Sequence, residues 1–206
     1  TDIIAPVEVI WDQTALGGND FQGTKTTTIN ISNLMLQNGT YQLHVWAKSW
    51  SAEGGQGDSW LSNNSANYVS TFTISRPVIV KGANGITENT GFPTLKAAFD
   101  SINAHSDQAD KTIEIQIAGN TTETASAVLN QPAVASWNSL TIYPTATDTI
   151  SGAFVGTLID LNGADNVVIN GRLNKTGNPK SLTISHTSNA DNSNRTIRLI
   201  NDAKNN

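Results

Sequence analysis

The sequence predicts an all-β protein in two parts: a sandwich-like piece over residues 1–76, then a helix-capped solenoid of short stacked strands over 77–206. Three observations carry this. Apolar residues in the first third alternate with polar ones in the two-residue period of strands. Beyond residue 104, apolar runs of three to five residues recur between polar turns rich in Asn and Gly. The composition agrees: 24 Asn, 25 Thr, 18 Ser and 16 Gly make up about 40% of 206 residues, and only 14% are charged. That is a β- and turn-rich profile of extracellular type rather than that of a helical enzyme.

Composition also excludes. With no cysteine there is no disulfide framework, thiolate metal site or cysteine nucleophile. Twelve Lys and Arg against 17 Asp and Glu, a net charge of −5, leave no basic stripe to neutralise phosphates, so no nucleic-acid partner is expected. No apolar run approaches the ~20 residues that span a bilayer, so no transmembrane segment is expected either. The chain opens on Thr1 without a signal-peptide pattern and closes on a strand at 196–200, which would present an open edge. Both ends read as internal to a longer secreted protein.

In residues 1–76, strands are expected at 26–34, 41–50 and 68–75. Tyr41, Leu43 and Val45 share one face of the second, and Tyr68, Phe72 and Ile74 one face of the third. Leu36-Gln37-Asn38-Gly39-Thr40-Tyr41 has the spacing L-x-x-G-x-Y of a tyrosine corner, where the Tyr hydroxyl bonds back to the backbone. With this corner, NGTYQLHVWAK and YVSTFTIS resemble the last strands of bacterial immunoglobulin-like or fibronectin-III-like modules. Such a sandwich has about seven strands, and this stretch offers four or five.

The intervening loop, 51–66, carries Glu53, Asp58 and Asn63 among glycines. It reads as a solvated loop, or alternatively as a Ca²⁺ site of oxygen ligands, although its spacing matches no dedicated calcium loop. Trp46, Trp50 and Trp60 fit packing against the loop or the next domain; the alternative is an aromatic platform for glycan binding by stacking.

Arg76-Pro77 interrupts strand character and marks the boundary. After the apolar run 78–80 and a Gly-Ala-Asn-Gly turn comes a helix from Thr94 to about Ala104. Thr94 stands as N-cap, and Leu95, Ala98, Phe99 and Ile102 lie on one face. Strands then follow at 112–117, 139–143, 157–161, 166–169, 181–185 and 196–200. A spacing of about 15 residues runs from Leu182 to Ile197. Short strands without helical crossovers suit coils stacked in parallel around Ile, Leu and Val. Asn120, Asn162, Asn166, Asn170 and Asn201 recur at turns and suggest side-chain amide ladders.

FPTLKAAFDSINAH, followed by TIEIQIAGNTTETASAVLNQ and SLTIYP, is similar to the start of right-handed parallel β-helices of the pectate-lyase and pectin-methylesterase type. There a helix plugs the first coil before an I-x-I-x-x-G-x-Y-x-E strand–turn. Aligned on Gly119, Glu123 falls at the Glu of that motif and Thr121 at its aromatic, with one residue fewer between Ile117 and Gly119. GADNVVINGRLN, SLTISHTS and TIRLINDAKNN resemble more closely the β-helix segments of large Bacteroidetes surface proteins. That resemblance implies export by the type IX pathway and association with Ig-like modules.

No catalytic constellation is evident. The carboxylates Glu114, Glu123, Asp148, Asp160, Asp165, Asp191 and Asp202 form no paired motif of the kind a glycosidase needs. Glu114 is expected to face away from the core. Asp160 and Asp165 flank Asn162-Gly163 as turn formers. His44, His105 and His186 lack ligand spacing, so no metal site is expected. Asn-x-Ser/Thr triplets occur at Asn30, Asn38, Asn63, Asn120, Asn174 and Asn194. Under the Bacteroidetes resemblance, Asp-Ser/Thr-apolar triplets matter more for O-glycosylation, and Thr149, read as lying in a loop, is the candidate acceptor.

The expectation is therefore a non-enzymatic adhesin or structural stalk segment, secreted or displayed at a cell surface. Its partners would be surface glycans or other surface proteins, and end-to-end self-association is compatible with an open last coil. The alternatives are the start of a polysaccharide-active β-helix enzyme, a filament-forming subunit, or a carbohydrate-binding module built on the three tryptophans.

Overall fold

The computed structural model describes residues 36, 38–45, 68–190 and 194–206. The strand expected at 26–34, the tryptophans Trp46, Trp50 and Trp60, the loop acids Glu53 and Asp58, and Asp191 lie outside the described residues. So do the triplets at Asn30 and Asn63.

The described part of the first third is one antiparallel pair, β1 (Gly39–Val45) and β2 (Tyr68–Ile74), with Tyr41 opposite Phe72. Their rings stack at 5.7 Å between centroids, a cross-strand aromatic pair of the kind that fixes register. Asn38 closes the base of the pair: its amide nitrogen donates to the Arg76 carbonyl at 3.1 Å, and its oxygen accepts from the Arg76 amide.

Past Pro77, β3 (Val78–Lys81) pairs antiparallel with β4 (Thr90–Phe92) and with β5 (Thr112–Ile117). The turn out of β3 requires glycine at 82, where φ is +72° and a Cβ would stand 2.3 Å from the Thr112 carbonyl. Between β4 and β5 lies the helix α1 (Leu95–Asn103). The Thr94 hydroxyl caps it by accepting from the Ala97 amide at 3.1 Å. Leu95, Ala98, Phe99 and Ile102, spaced by three or four, are buried together against the strands. Element and face both match the sequence reading.

From β5 onward the chain makes three similar passes. The first is β5, β6 (Thr121–Glu123) and β7 (Ala127–Asn130). The second is β8 (Ser139–Pro144), β9 (Asp148–Gly152) and β10 (Thr157–Asn162). The third is β11 (Val167–Ile169), β12 (Leu182–His186) and β13 (Arg195–Ile200). Each pass visits three sheets in the same order, giving β11-β8-β5-β3-β4, β12-β9-β6 and β13-β10-β7. Every pairing of named strands between these passes is parallel.

This topology corrects the 15-residue spacing. Leu182 and Ile197 sit on different sheets of one pass; the repeat is the separation of paired residues. Ile113 pairs with Leu140 and Leu140 with Val167, 27 residues on each time. Thr157 pairs with Arg195, 38 residues on, because the loops of the third pass are longer.

Side chains alternate as a strand dictates: Ile113, Ile115 and Ile117 point inward with Leu140, Ile142, Ile150, Ile159 and Leu161, all buried with the apolar face of α1. Trp137 closes one corner, its indole N–H donating to the Asp165 carbonyl at 2.7 Å. Ile197 and Leu199 pair in register with Ile159 and Leu161, yet are 39% and 51% exposed. The architecture is thus, among the described residues, all-β apart from one α-helix. Among the described residues no helix is long and apolar enough to cross a membrane.

Candidate functional site

A polar cluster lies on the outer face of the five-stranded sheet. Because β5 turns its three isoleucines inward, Glu114 and Gln116 project outward. Register sets Lys81 beside Glu114 on one side and Thr141 on the other, and places Gln116 between Ile79 and Tyr143. The Tyr143 hydroxyl donates to Glu114 Oε2 at 2.8 Å and accepts from Gln116 Nε2 at 2.6 Å. Lys175 completes the cluster: its ammonium pairs with Glu114 Oε1 and stands 4.7 Å from the centre of the Tyr143 ring.

Lys175 arrives from the long loop between β11 and β12. Arg172 and Lys180 form an antiparallel bridge at its base, and the 3₁₀ turn Leu173–Lys175 leads to the tip. Three left-handed residues reverse the chain: Asn174 (φ 47°), Lys175 (φ 65°) and Gly177 (φ 72°). Asn and Gly accept that conformation readily. A lysine does not, and its ion pair and ring contact hold it there.

Electrostatics follow from the contacts. The hydrogen bond from Lys175 holds the Glu114 carboxyl below its usual range, against the opposing effect of burial, with help from Tyr143 and from the charge of Lys81. The same bond pushes the Lys175 ammonium up. Burial pushes the Tyr143 phenol up, reinforced by the neighbouring carboxylate. Both Glu114 oxygens are engaged, so the cluster works as a clamp that docks the loop, not as a free acid or base.

Beside the clamp opens a groove of about 360 Å³ lined by Val168, Ile169, Asn170, Gly171, Arg172 and Lys180. The Arg172 Nε donates to the Asn170 side-chain oxygen at 3.1 Å, and its outer nitrogens have no partner among the described residues. Lys180 is exposed and makes no side-chain bond among the described residues.

The other carboxylates are placed differently from their sequence readings, or more definitely. Glu123 is 2% exposed, and each of its oxygens accepts one α1 amide, from Leu95 and Lys96, both at 2.9 Å. Asp160 is not a turn former. It lies inside β10, because the turn begins only after Asn162, and both its oxygens meet the Arg198 guanidinium from β13. Asp165 does sit at the turn, accepting from the Lys204 amide at 2.6 Å. Asp202 pairs with Lys204. Asp148 is buried in β9, and its Oδ2 has no partner among the described residues; burial pushes this carboxyl up, with a hydrogen bond from the Ala146 amide opposing.

Thr149 is also in β9 rather than in a loop. It is half-buried, and its amide donates to the Asn120 side chain at 2.8 Å. The His105 ring meets the Ser101 carbonyl at 2.9 Å, and His186 sits edge-on to Phe154 at 5.1 Å. Among the described residues no three His, Asp or Glu side chains converge on a metal-sized site. Of the expected Asn ladder, Asn162 and Asn201 take part. Asn162 Nδ2 donates to Asn130 Oδ1 at 2.7 Å, and Asn201 Nδ2 donates to Asn162 Oδ1. Asn120, Asn166 and Asn170 do not join it: Asn120 ties β6 to β9 and Asn170 holds Arg172.

The sequence reading missed the partnership of Glu114, Tyr143 and Lys175. Glu114 and Lys175 stand 61 residues apart, and no local pattern joins them. The available signal was the run 172–180, RLNKTGNPK, with three cations and no acid. No protein family, no curated protein and no solved structure matches the chain.

Proposed function

We propose that the chain is a non-enzymatic stalk or adhesive segment of a large protein displayed at a bacterial surface. In this reading residues 77–206 are the helix-capped first coils of a right-handed parallel β-helix, and residues 1–76 belong to an Ig-like or fibronectin-III-like module. The repeated order of three sheets, and parallel pairing from pass to pass, support the β-helix. The observation that carries the functional reading is how four of the described carboxylates are used. Glu123 anchors α1, Asp160 binds Arg198, Glu114 binds Lys175 and Tyr143, and Asp165 fixes the last turn. Glycoside hydrolysis by the common mechanisms needs one carboxyl free to donate a proton and another free to attack or to activate water. These four are engaged in holding one part of the chain to another. Stacked passes suit a stiff spacer, and polar turns keep it soluble at modest charge.

The test is incubation of the full chain with neutral and acidic polysaccharides, with and without Ca²⁺, following new reducing ends and unsaturated products. Attachment of the same chain to bacterial and host cell surfaces is measured in parallel. Surface attachment without turnover is expected; turnover abolished by replacing one of these carboxylates would overturn the reading. For the tryptophans, a Trp46, Trp50 and Trp60 to Ala variant that still folds but loses glycan binding places adhesion there. Unfolding assigns them to packing.

A further inference from the structure

The loop 172–180 brings three of the chain's twelve cations to one place without an acid among them, on a protein whose net charge is −5. The Glu114–Tyr143 clamp takes Lys175 and so positions the loop. The two cations at its base, Arg172 and Lys180, are held side by side by the backbone bridge and line the groove over Val168, which is 47% exposed. Arg172 is oriented by Asn170, with its outer guanidinium nitrogens unpaired among the described residues. Asn170 supplies an amide to the groove lining. A planar fork beside a point charge, over a small apolar floor with an amide beside it, is a recognition set for an anionic group on a hydroxyl-rich body.

We infer that this groove is a binding site for an anionic saccharide, with Arg172 and Lys180 holding its carboxylate or sulfate and Val168 supporting a sugar ring. A peptide strand is disfavoured, because the edge of β11 is already occupied at its start. The Val167 amide donates to the Asn206 side chain at 2.7 Å, and the Asn166 amide to the Lys204 carbonyl at 2.9 Å, which blocks strand addition there. The inference deepens the adhesive reading above and rests on it for its biological use; the binding measurement stands apart from turnover and cell attachment.

The experiment titrates the full chain with dextran sulfate, carboxymethyl-dextran, neutral dextran and poly-glutamate at low and moderate salt. Binding to one or both anionic dextrans, falling with salt, is expected, with neutral dextran ignored; which of the two binds more tightly assigns sulfate or carboxylate. Arg172→Gln with Lys180→Gln should weaken it about ten-fold, since two charge-assisted contacts, one of them a guanidinium fork, are lost together. The circular dichroism spectrum should stay unchanged, and Lys96→Gln on α1 should leave binding as it was. Lys175→Met, which releases the loop without removing a binding cation, should weaken it less. Equal affinity for neutral dextran, insensitivity to the double variant, or preference for poly-glutamate would each overturn the assignment. Attachment to cells that survives the double variant leaves the adhesive reading standing without this site.

Discussion

At the scale of single residues, the carboxylates decide most. Glu123 accepts one helix amide on each oxygen while buried, so it combines hydrogen bonding with attraction to the positive end of α1. Glu123→Gln keeps the shape but sets an NH₂ group against one of those amides. We expect a loss of about 1–3 kcal/mol, read from urea unfolding. Asp148 acts in the opposite sense. Burial raises its folded pKa, so as pH rises through the ordinary carboxylate range the unfolded chain gives up this proton first and stability falls. Asp148→Asn should therefore raise Tm at neutral pH, with the gain vanishing once pH drops below that range. Glu114 has a lowered folded pKa, so its stabilisation is present above its ordinary pKa and is lost as pH falls through the folded one. The thermal cost of Lys175→Met should accordingly shrink on acidification. Glu114's outward direction was legible, because strand alternation alone sets it. The roles of Glu123 and Asp160 were not: their partners lie 27 to 38 residues away, and side-chain pairing across passes has no local signature.

Elements were legible in proportion to their own apolar content. α1 carries its apolar stripe and its cap within eleven residues, and its bounds follow from them. β5 and β8 show two or three inward aliphatics each and were found. β6, Thr-Thr-Glu, has none; its inward positions are Thr121 and Glu123, both buried, and no hydrophobic pattern marks it. β9 begins on buried Asp148 and ends on a glycine facing Leu158, so it read as a loop and took Thr149 with it. Between elements, the ladder Asn130–Asn162–Asn201 links three passes at one corner. Asn162 both gives and takes within it. Asn162→Ala should cost about 1–3 kcal/mol, since two rungs go at once and each is worth roughly 0.5–1.5. Asn170→Ala, which removes side-chain bonds to Arg172 alone among the described residues, should change thermal stability far less.

For the whole molecule, the sequence conveyed that short strands stack around an aliphatic core but misjudged the repeat. Loops of unequal length hide a period that register alone reveals, 27 residues on one sheet and up to 38 on another. The register also explains why chemistry-bearing side chains converge from distant positions: each strand lies beside its counterpart from the pass before. The most direct test of this stacking uses the absence of native cysteine. Thr122 and Ser151 face each other across β6 and β9, their hydroxyl oxygens 3.4 Å apart, a separation within reach of a disulfide after small adjustment. A Thr122→Cys, Ser151→Cys chain should oxidise to an intramolecular disulfide in high yield, detected by mass spectrometry, while Thr122→Cys with Ile150→Cys should not, because one step along a strand turns the second side chain inward. Efficient closure of the shifted pair, or failure of the registered one in a folded chain, would contradict the parallel stacking on which the account rests.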